Sequence, residues 1–262
     1  MGLTKVNVIK SHSSLGFQKD LMKRATSVVD LSNMRGVRFC AVMKDFLNLK
    51  KNLCNLEPGI SFLGAGDFHH LSLHFLDKLF LTPQLLLFDH HSDMMESPPG
   101  TISCGSWVRL AIREHRIKKC IVVGVNPRDE AFTGQKTGLN ASFFPADLPH
   151  EHKVAGVMKE IFDSPEPVYI SIDKDVLLFG EAFTNWDQGS MKLDELLDFL
   201  SIIKKAAKIV GADICGEWTA PADEIFHSIE DRKNIMKNQE ANLKILNALE
   251  KIFAYQQKNS VK

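Results

Sequence analysis

The segment Leu85-Leu86-Leu87-Phe88-Asp89-His90-His91-Ser92-Asp93 decides the fold class and marks the first candidate site. Its four consecutive large apolar residues predict a strand buried on both faces, as in a parallel sheet. A period of two would place Asp89, His91 and Asp93 on one side of an extended chain. Three potential metal ligands would then converge at the carboxyl end of a strand, where open parallel sheets place their active sites. A turn with capping carboxylates and a surface histidine is the alternative for this segment alone.

A second segment, Val168-Tyr169-Ile170-Ser171-Ile172-Asp173-Lys174-Asp175, repeats this design. An apolar strand again ends in two carboxylates that are two residues apart. Two acids that point the same way repel each other and destabilise the protein unless a cation lies between them. Two such strand ends in one chain favour a metal site over two structural turns.

A third segment, Phe62-Leu63-Gly64-Ala65-Gly66-Asp67-Phe68-His69-His70, ends a strand at glycines and then presents two histidines. Glycine permits close backbone approach, and histidine is a common metal ligand. Alone this signal is weak, because a histidine beside an apolar run is more often a packed residue. It gains weight because these histidines are expected at the same edge of the sheet.

Apolar strand-like runs alternate with amphipathic helices along the chain, which predicts an α/β fold. We expect a three-layer sandwich, with a mostly parallel central sheet and helices on both faces. With no repeat or linker in the sequence, residues 1–262 are interpreted as a single domain. The predicted strands are Ile60 to Leu63, Gln84 to Phe88, Lys119 to Val125, Val168 to Ile172 and Ile209 to Cys215.

Helical spacing of apolar residues predicts helices over Glu151 to Phe162 and Leu193 to Lys208, and a last helix from about Asp223 to Tyr255. The stretch Asn126 to His150 shows neither period. Long loops of this kind in compact domains are usually functional, so we interpret it as a lid or specificity loop.

Composition excludes several classes of function. The 32 basic and 32 acidic residues give a formal net charge of zero, which argues against nucleic-acid binding. No uncharged run reaches membrane-spanning length and the first ten residues do not resemble a secretory signal, so we expect no membrane association. The odd number of cysteines, without a C-x-x-C pair, predicts reduced thiols and a cytoplasmic protein. They are Cys40, Cys54, Cys104, Cys120 and Cys215.

The three segments together resemble the ureohydrolase superfamily of arginase, agmatinase and formiminoglutamase. The resemblance rests on Asp89-x-His91-x-Asp93, on Ser171-x-Asp173-x-Asp175 and on the upstream Gly-Asp-His-like element, and it extends roughly from residue 62 to residue 221. It implies an arginase-like α/β fold. In these enzymes two manganese ions share bridging carboxylates and hold a hydroxide that attacks a guanidino or formimino carbon.

The resemblance implies a ligand set for two Mn²⁺ ions. Asp89 and Asp173 would bridge the metals. One site would be completed by His69 and Asp93, and the other by His91 and Asp175. Four carboxylates and two imidazoles suit Mn²⁺ better than a metal that prefers thiolates. An extra residue relative to the family motif leaves either His69 or His70 as the ligand, and we favour His69.

Further residues are carried over from the same resemblance. Glu217 is similar to the family's late glutamate that pairs with the substrate's guanidinium, although it lies one residue further from Asp213 than in the family. An exposed capping glutamate is the alternative. Asp187 and Trp186 fall in the family's loop beside the metals and could line the pocket, with packing as the alternative for Trp186.

Two departures from the family concern the chemistry. Cys104 stands where arginases have a proton-shuttling histidine. It could be a thiolate that acts as base or nucleophile, because nearby cations lower a thiol pKa, or it could be an inert filler. The segment Asn126-Pro127-Arg128-Asp129-Glu130 is only loosely similar to the one that grips an amino acid, so arginine as the substrate is not supported.

We therefore predict a dinuclear manganese hydrolase that cleaves a C–N bond of a small cationic guanidino or amidino substrate. A deacetylase-like amidohydrolase on the same fold is one alternative, although Asp93 and Asp175 argue against its single zinc ion. A family member that binds metal without ureohydrolase activity is the other, suggested by Cys104 and the position of Glu217. The resemblance also favours a homo-oligomer.

Overall fold

A central β-sheet lies between two layers of helices. The computed structural model of the protein describes residues 4–133, 138–219 and 228–259. The strands in these ranges are β1 (Val6–Lys10), β2 (Ser27–Asp30), β3 (Cys40–Val42), β4 (Ile60–Phe62), β5 (Gln84–Phe88), β6 (Thr101–Ser103), β7 (Cys120–Val125), β8 (Ala141–Pro145), β9 (Val168–Asp173) and β10 (Ile209–Cys215).

The central sheet has eight strands in the spatial order β2-β1-β4-β10-β9-β5-β7-β8, and every neighbouring pair is parallel. Strands β3 and β6 form a separate antiparallel pair. Because β9 lies between β5 and β10, the carboxyl ends of these three strands lie side by side. The prediction of a mostly parallel three-layer α/β fold is confirmed.

Helices cover both faces of the sheet. They are α1 (Ser14–Phe17), α2 (Lys19–Arg24), α3 (Met43–Leu53), α4 (Ser72–Leu76), α5 (Trp107–Arg113), α6 (Glu130–Thr133), α7 (His150–Phe162), α8 (Leu193–Ala206) and α9 (Ile229–Asn259). Side chains of consecutive β5 residues point to opposite faces. Leu86 and Phe88 pack in one apolar cluster with α2, α7, α8 and α9, whereas Leu85 and Leu87 pack in a second cluster with α3, α4 and α5.

The predicted strands and the helices α7 and α8 agree with the structure to within about two residues, whereas the last helix ends at Asn259, four residues beyond the predicted end at Tyr255. β5 and β10 have the predicted bounds, and β9 continues one residue further to Asp173. Helix α9 begins at Ile229, and the predicted start at residues 223–227 lies outside the described residues. The single-domain interpretation stays a prediction.

The segment Asn126 to His150 was wrongly interpreted as lacking regular structure. Its described residues include helix α6 and strand β8, which pairs with β7 in parallel. Strand β8 is at the edge of the sheet and all five of its residues are half-buried. An edge strand without alternating burial gives no periodic signal in sequence, which explains the error.

Candidate metal centre and cavity

The candidate ligands lie at the carboxyl ends of neighbouring strands. Phe88, the last residue of β5, pairs with Ile172 of β9, so Asp89 and Asp173 follow side by side. A 3₁₀ turn over Gly66–Leu71 follows β4 and carries His69. A side chain at Gly66 would place its Cβ 2.8 Å from the Oδ2 of Asp173, so this position requires glycine.

The six predicted ligands form two touching groups. In the first, His69 Nδ1 lies 2.9 Å from Asp93 Oδ2, 3.2 Å from Asp89 Oδ2 and 3.7 Å from Asp173 Oδ2. In the second, His91 Nδ1 lies 2.9 Å from Asp175 Oδ2 and 3.6 Å from Asp89 Oδ1. Asp89 belongs to both groups, with one oxygen facing each. The structure thus brings together all six residues.

Asp89, His91 and Asp93 converge for a reason other than the one expected from sequence. Strand β5 ends at Phe88, and Asp93 has a φ of 53°, so the segment is a tight turn and not an extended chain. Aspartate adopts this left-handed conformation more readily than most residues. Two hydrogen bonds fix the turn: His91 N–H donates to Asp89 Oδ1 at 2.7 Å, and Trp107 Nε1–H donates to Asp93 Oδ2 at 2.6 Å.

A buried hydrogen-bond chain sets the tautomer of His69. Ser171 Oγ donates its only proton to Asp213 Oδ1 at 2.6 Å, so it accepts from His69 Nε2–H at 2.8 Å. Tyr169 donates its hydroxyl proton to Asp213 Oδ2 at 2.8 Å. The His69 Nδ1 atom that faces the carboxylates therefore carries the lone pair that a metal ion needs, an arrangement common behind histidine ligands.

The neighbouring histidine, His70, lies away from the cluster. Its ring packs 5.6 Å from the ring of Phe46. Burial lowers the pKa of His70 to about 4, against the opposing effect of the Val37 backbone, and this keeps the ring neutral. Of the two histidines, only His69 faces the carboxylates.

Burial and mutual repulsion perturb the carboxylates strongly. Burial and the charge of Asp175 raise the pKa of Asp173 to about 6, and burial and the charge of Asp89 raise the pKa of Asp175 to about 6. Burial and the neighbouring acids also raise the pKa of Asp89 and of Asp93. Burial alone would lower the pKa of His91, but its hydrogen bonds with Asp175 and Asp89 raise it overall. The cluster thus concentrates negative charge that favours bound cations.

The ligand groups form the floor of a cavity of about 270 Å³. Its walls come partly from regions that the sequence did not point to: Phe39 and Cys40 at β3, Met95 in the loop after β5, and Ser103 at the end of β6. Positions of this kind carry no sequence signal, because exposed apolar residues outside a periodic pattern are common. Trp186 also lines the cavity, as expected.

Comparison with known proteins identifies the family, because residues 64–224 match the arginase family. This chain belongs to the arginase family. A Thermotoga maritima protein described as uncharacterized is 30% identical over 232 residues, which are 88% of this chain and 84% of that protein. The chain is thus a member of a hydrolase family that includes arginases, agmatinases and formiminoglutamases.

Solved structures support the same fold. Formimidoylglutamase from Bacillus subtilis superimposes with a TM-score of 0.70 at 16% identity, over 95% of this chain and 88% of that one. Proclavaminate amidino hydrolase from Streptomyces clavuligerus gives 0.67 at 16% identity, over 96% and 92% of the two chains. Arginase from Bacillus subtilis gives 0.63 at 15% identity, over 92% and 98%. At such low identities the likeness concerns the fold.

Glu217, expected to pair with a substrate, points into the protein interior. It is 2% exposed and does not line the cavity. Its carboxylate accepts from Gln18 Nε2 at 2.6 Å and from Asn242 Nδ2 at 2.6 Å, and it forms an ion pair with the buried Lys174. Gly216 precedes it with a φ of 80°, and a Cβ there would lie 2.4 Å from Asp173 Oδ1. By the resemblance, the family's late glutamate would stand one residue earlier, at Gly216. That position has no room for any side chain.

Asp187 lies behind His91 and not on the cavity wall. Its Oδ1 lies 2.9 Å from His91 Nε2, and the side chain is 64% exposed. Burial would raise the pKa of Asp187, but the charge of His91 lowers it overall. Asp187 therefore holds the distal nitrogen of His91, which leaves Nδ1 towards Asp175 and Asp89.

Two cysteines adjoin the site. Cys104 lines the cavity, and burial together with the charges of Asp93 and Asp67 raises its pKa to about 12, so these groups favour the neutral thiol. Cys215 is fully buried. Its Sγ also lies 3.0 Å from Asp173 Oδ2, a contact that the sequence gave no sign of.

The residues of the cluster fit divalent cations. Asp89 Oδ2 is buried and has no hydrogen-bond partner in the structure, although an ionised oxygen needs one or a cation. Three groups of potential ligand atoms lie close enough to hold an ion: His69, Asp89 and Asp93; Asp89, His91 and Asp175; and His69, Asp173 and Cys215. Carboxylate and imidazole donors predominate, which is the chemistry of a hard to borderline metal.

Proposed function

We propose that the protein is a dinuclear, manganese-dependent hydrolase that cleaves a C–N bond in a small guanidino or amidino substrate. The observation that carries the proposal is Asp89, whose two oxygens face His69 on one side and His91 on the other. Such a shared carboxylate is what two adjacent metal ions require. Family membership supports a hydrolase, and the ligand set supports two Mn²⁺ ions.

In this proposal His69 and Asp93 would hold one ion, His91 and Asp175 would hold the other, and Asp89 and Asp173 would contribute to both sites. When bound, such a pair of ions would supply an activated water and polarise the substrate. Four buried carboxylates balance the charge of two divalent cations. We assign a positioning role to Asp187, which orients His91. We assign a second positioning role to Glu217, which neutralises the charge of Lys174, the residue between Asp173 and Asp175 in the sequence.

Cys104 contributes to the shape of the cavity in this proposal and does not act as a base. Burial and the charges of Asp93 and Asp67 raise the pKa of the Cys104 thiol to about 12, which favours its neutral form. Substitution Cys104→Ser is expected to keep kcat within about threefold and to leave the pH profile of kcat/KM unchanged. Loss of the limb that rises with pH, which reports an essential base, would assign a catalytic role to the thiol instead.

The remaining aspects of the proposal are a small-molecule cationic substrate, a cytoplasmic location and a homo-oligomeric state. Among the described residues, no helix is both long enough and apolar enough to cross a bilayer. Analytical ultracentrifugation of the full chain measures the oligomeric state directly.

The test loads the purified protein with Mn²⁺ and measures urea and ammonia release from arginine, agmatine, guanidinobutyrate, formiminoglutamate and guanidine. Bound manganese is counted separately. We expect two ions per chain and turnover of at least one compound, both lost in Asp173→Asn. The matched control, Asp163→Asn, removes an exposed carboxylate at the end of α7 and should keep both.

Metal binding at full occupancy without turnover of any compound would contradict the proposed reaction. Acetate release from acetylated amines would then favour the deacetylase-like alternative. Unchanged activity in Asp173→Asn would exclude the assigned metal centre.

A further inference from the structure

Phe39 has a strained backbone at the mouth of the cavity. Its φ is 61° and the residue is 45% exposed. A bulky residue rarely adopts this left-handed conformation, and such strain persists where surrounding contacts impose it, often at ligand sites. Here Phe39 N–H donates to the carbonyl of Asp67 at 3.0 Å, and the carbonyl of Phe39 accepts from Cys104 N–H at 2.8 Å. These bonds hold the ring at the opening.

Trp186 continues the wall from Phe39 down to the metal ligands. Its ring centroid lies 6.0 Å from that of Phe39 and 5.7 Å from that of His91. Its Nε1–H donates to Asp67 Oδ1 at 2.9 Å. Asp67 therefore fixes both aromatic residues, one through its side chain and one through its carbonyl. The two rings form a continuous path from His91 to solvent.

Met95 adds a third apolar side chain and is 62% exposed. Its N–H donates to the carbonyl of Gly105 at 2.9 Å, and a Cβ at Gly105 would lie 3.2 Å from Met95 Sδ. The side chain thus lies across Gly105 at the cavity wall. Water-exposed apolar surface is unfavourable, and a ligand that covers it gains affinity.

The described residues that line the cavity include no lysine or arginine. Arg38 is adjacent, but its guanidinium lies 4.7 Å from the centroid of the Phe39 ring and its Nε–H donates to Asp67 Oδ2 at 2.7 Å. Its charge is thus engaged in holding the wall. Asp129 also lines the cavity, which disfavours an anion there.

We infer that the outer cavity, formed by Phe39, Met95 and Trp186, binds an apolar group, so that the substrate carries an alkyl or aryl substituent and not a carboxylate. This inference rests on the proposed function, because it names the substrate class of the same site. It distinguishes this chain from enzymes that act on amino acids.

The test measures kcat/KM of the Mn²⁺-loaded enzyme for guanidine and for methyl-, propyl- and butylguanidine. Burial of each methylene is expected to raise kcat/KM about threefold to fourfold. Phe39→Gly removes the ring and accommodates the positive φ without strain, so the variant folds. It should flatten this dependence on chain length. Phe80→Ala, which removes a fully exposed ring elsewhere, is the control.

A second comparison uses butylguanidine, 4-guanidinobutyrate and agmatine, which share a chain and differ at its end. We expect at least a tenfold preference for the methyl terminus over the carboxylate. Equal or better turnover of the carboxylate or the amine, or a flat dependence on chain length in the unmodified enzyme, would overturn the inference.

Calorimetric binding of the same compounds separates this inference from the proposed function. Tighter binding of longer alkylguanidines without any hydrolysis would contradict the proposed reaction and still support the apolar subsite. Hydrolysis together with equal binding of all chain lengths would support the proposed reaction and contradict the apolar subsite.

Discussion

At the scale of single residues, the site depends on side chains that hold the ligands. Ser171 is one of these, because it accepts the Nε2–H of His69 and passes its own proton to Asp213. Ser171 lies two positions before Asp173 in the sequence, but the sequence does not reveal its role. Its partner Asp213 lies on another strand, so only the three-dimensional contact identifies the chain of hydrogen bonds.

Substitution Ser171→Ala is expected to weaken Mn²⁺ binding about 10-fold to 100-fold, because His69 loses the partner that fixes its tautomer. Isothermal titration calorimetry with Mn²⁺ measures the effect. Ser61→Ala provides the control, since this buried serine of β4 accepts from Asn7 at 3.1 Å and touches no ligand. An equal loss of Mn²⁺ affinity in both variants would show that the effect comes from packing.

Glu217 and Lys174 form a second residue-scale feature, a buried ion pair directly behind the metal ligands. Glu217→Gln leaves the Lys174 charge without its counterion and should lower the free energy of unfolding by about 3–5 kcal/mol. The exposed pair Lys23 and Asp20 is the comparison, and Asp20→Asn should cost about 0–1 kcal/mol. Urea unfolding measures both.

The double variant Lys174→Met with Glu217→Gln should lose less stability than Glu217→Gln alone, since it buries no unpaired charge. If the double variant were less stable than the unmodified protein by the sum of the two single losses, the two residues would act independently.

At the scale of elements, α3 and α4 are joined by a histidine outside the site. His74 donates from Nε2 to the carbonyl of Leu53 at 3.1 Å, and its Nδ1 is buried without a partner. Burial and the charges of Lys78 and Lys50 lower the pKa of His74 to about 4, against the opposing effects of the Leu53 carbonyl and Asp77. Burial therefore keeps the ring neutral, although its hydrogen bond with Leu53 favours the protonated form.

The sign of the resulting pH dependence follows from proton counting. Between the folded pKa near 4 and the unfolded value of 6.5, the unfolded chain binds more protons at His74, so its contribution to stability is present above pH 6.5 and is lost as pH falls towards 4. His70 contributes in the same direction, whereas Asp173 and Asp175, with raised pKa values, contribute in the opposite one.

Comparison of the protein with a variant that lacks His74 isolates the contribution of this histidine to the pH dependence of Tm. His74→Gln keeps an N–H donor for Leu53 and should reduce the fall of Tm between pH 6.5 and pH 4, relative to the unmodified chain in the presence of EDTA. His152→Gln, at an exposed position of α7, is the control. An unchanged Tm difference across this pH range would contradict the assignment.

At the scale of the whole molecule, the cluster ties together segments that are distant in sequence. The turn after β4, the end of β5 and the end of β9 meet there, and their acids repel one another without cations. Metal that binds only the folded state should stabilise the entire fold. At a hundredfold excess over Kd each ion contributes about 2.7 kcal/mol, or about 5–10 °C in Tm for a chain of this size.

Differential scanning calorimetry with Mn²⁺ and with EDTA measures this shift. It should disappear in Asp173→Asn and be retained at least in part in Asp187→Asn, because Asp187 reaches the cluster only through His91. A full shift in Asp173→Asn would place the binding site elsewhere.

The sequence by itself determined the fold class and five of the six candidate ligands, and it left His69 and His70 as candidates for the sixth. Buried strands such as β5 and β9 consist of uninterrupted apolar residues, and chemistry at the carboxyl end of a strand follows directly from strand order and polarity. The edge strand β8 escaped prediction because all five of its residues are half-buried, which leaves no periodic pattern. Strands β1 and β2 were also not predicted.

Only the tertiary structure decided the details of the site. It placed His69 and not His70 among the carboxylates, turned Glu217 inwards onto Lys174, and brought Phe39 and Met95 to the cavity. These outcomes depend on contacts between residues far apart in the chain, such as Phe39 with Asp67 and Ser171 with Asp213. Local sequence pattern indicates which segments form strands and which of their faces are buried. The partners of side chains on different strands are set by the packing of the folded chain.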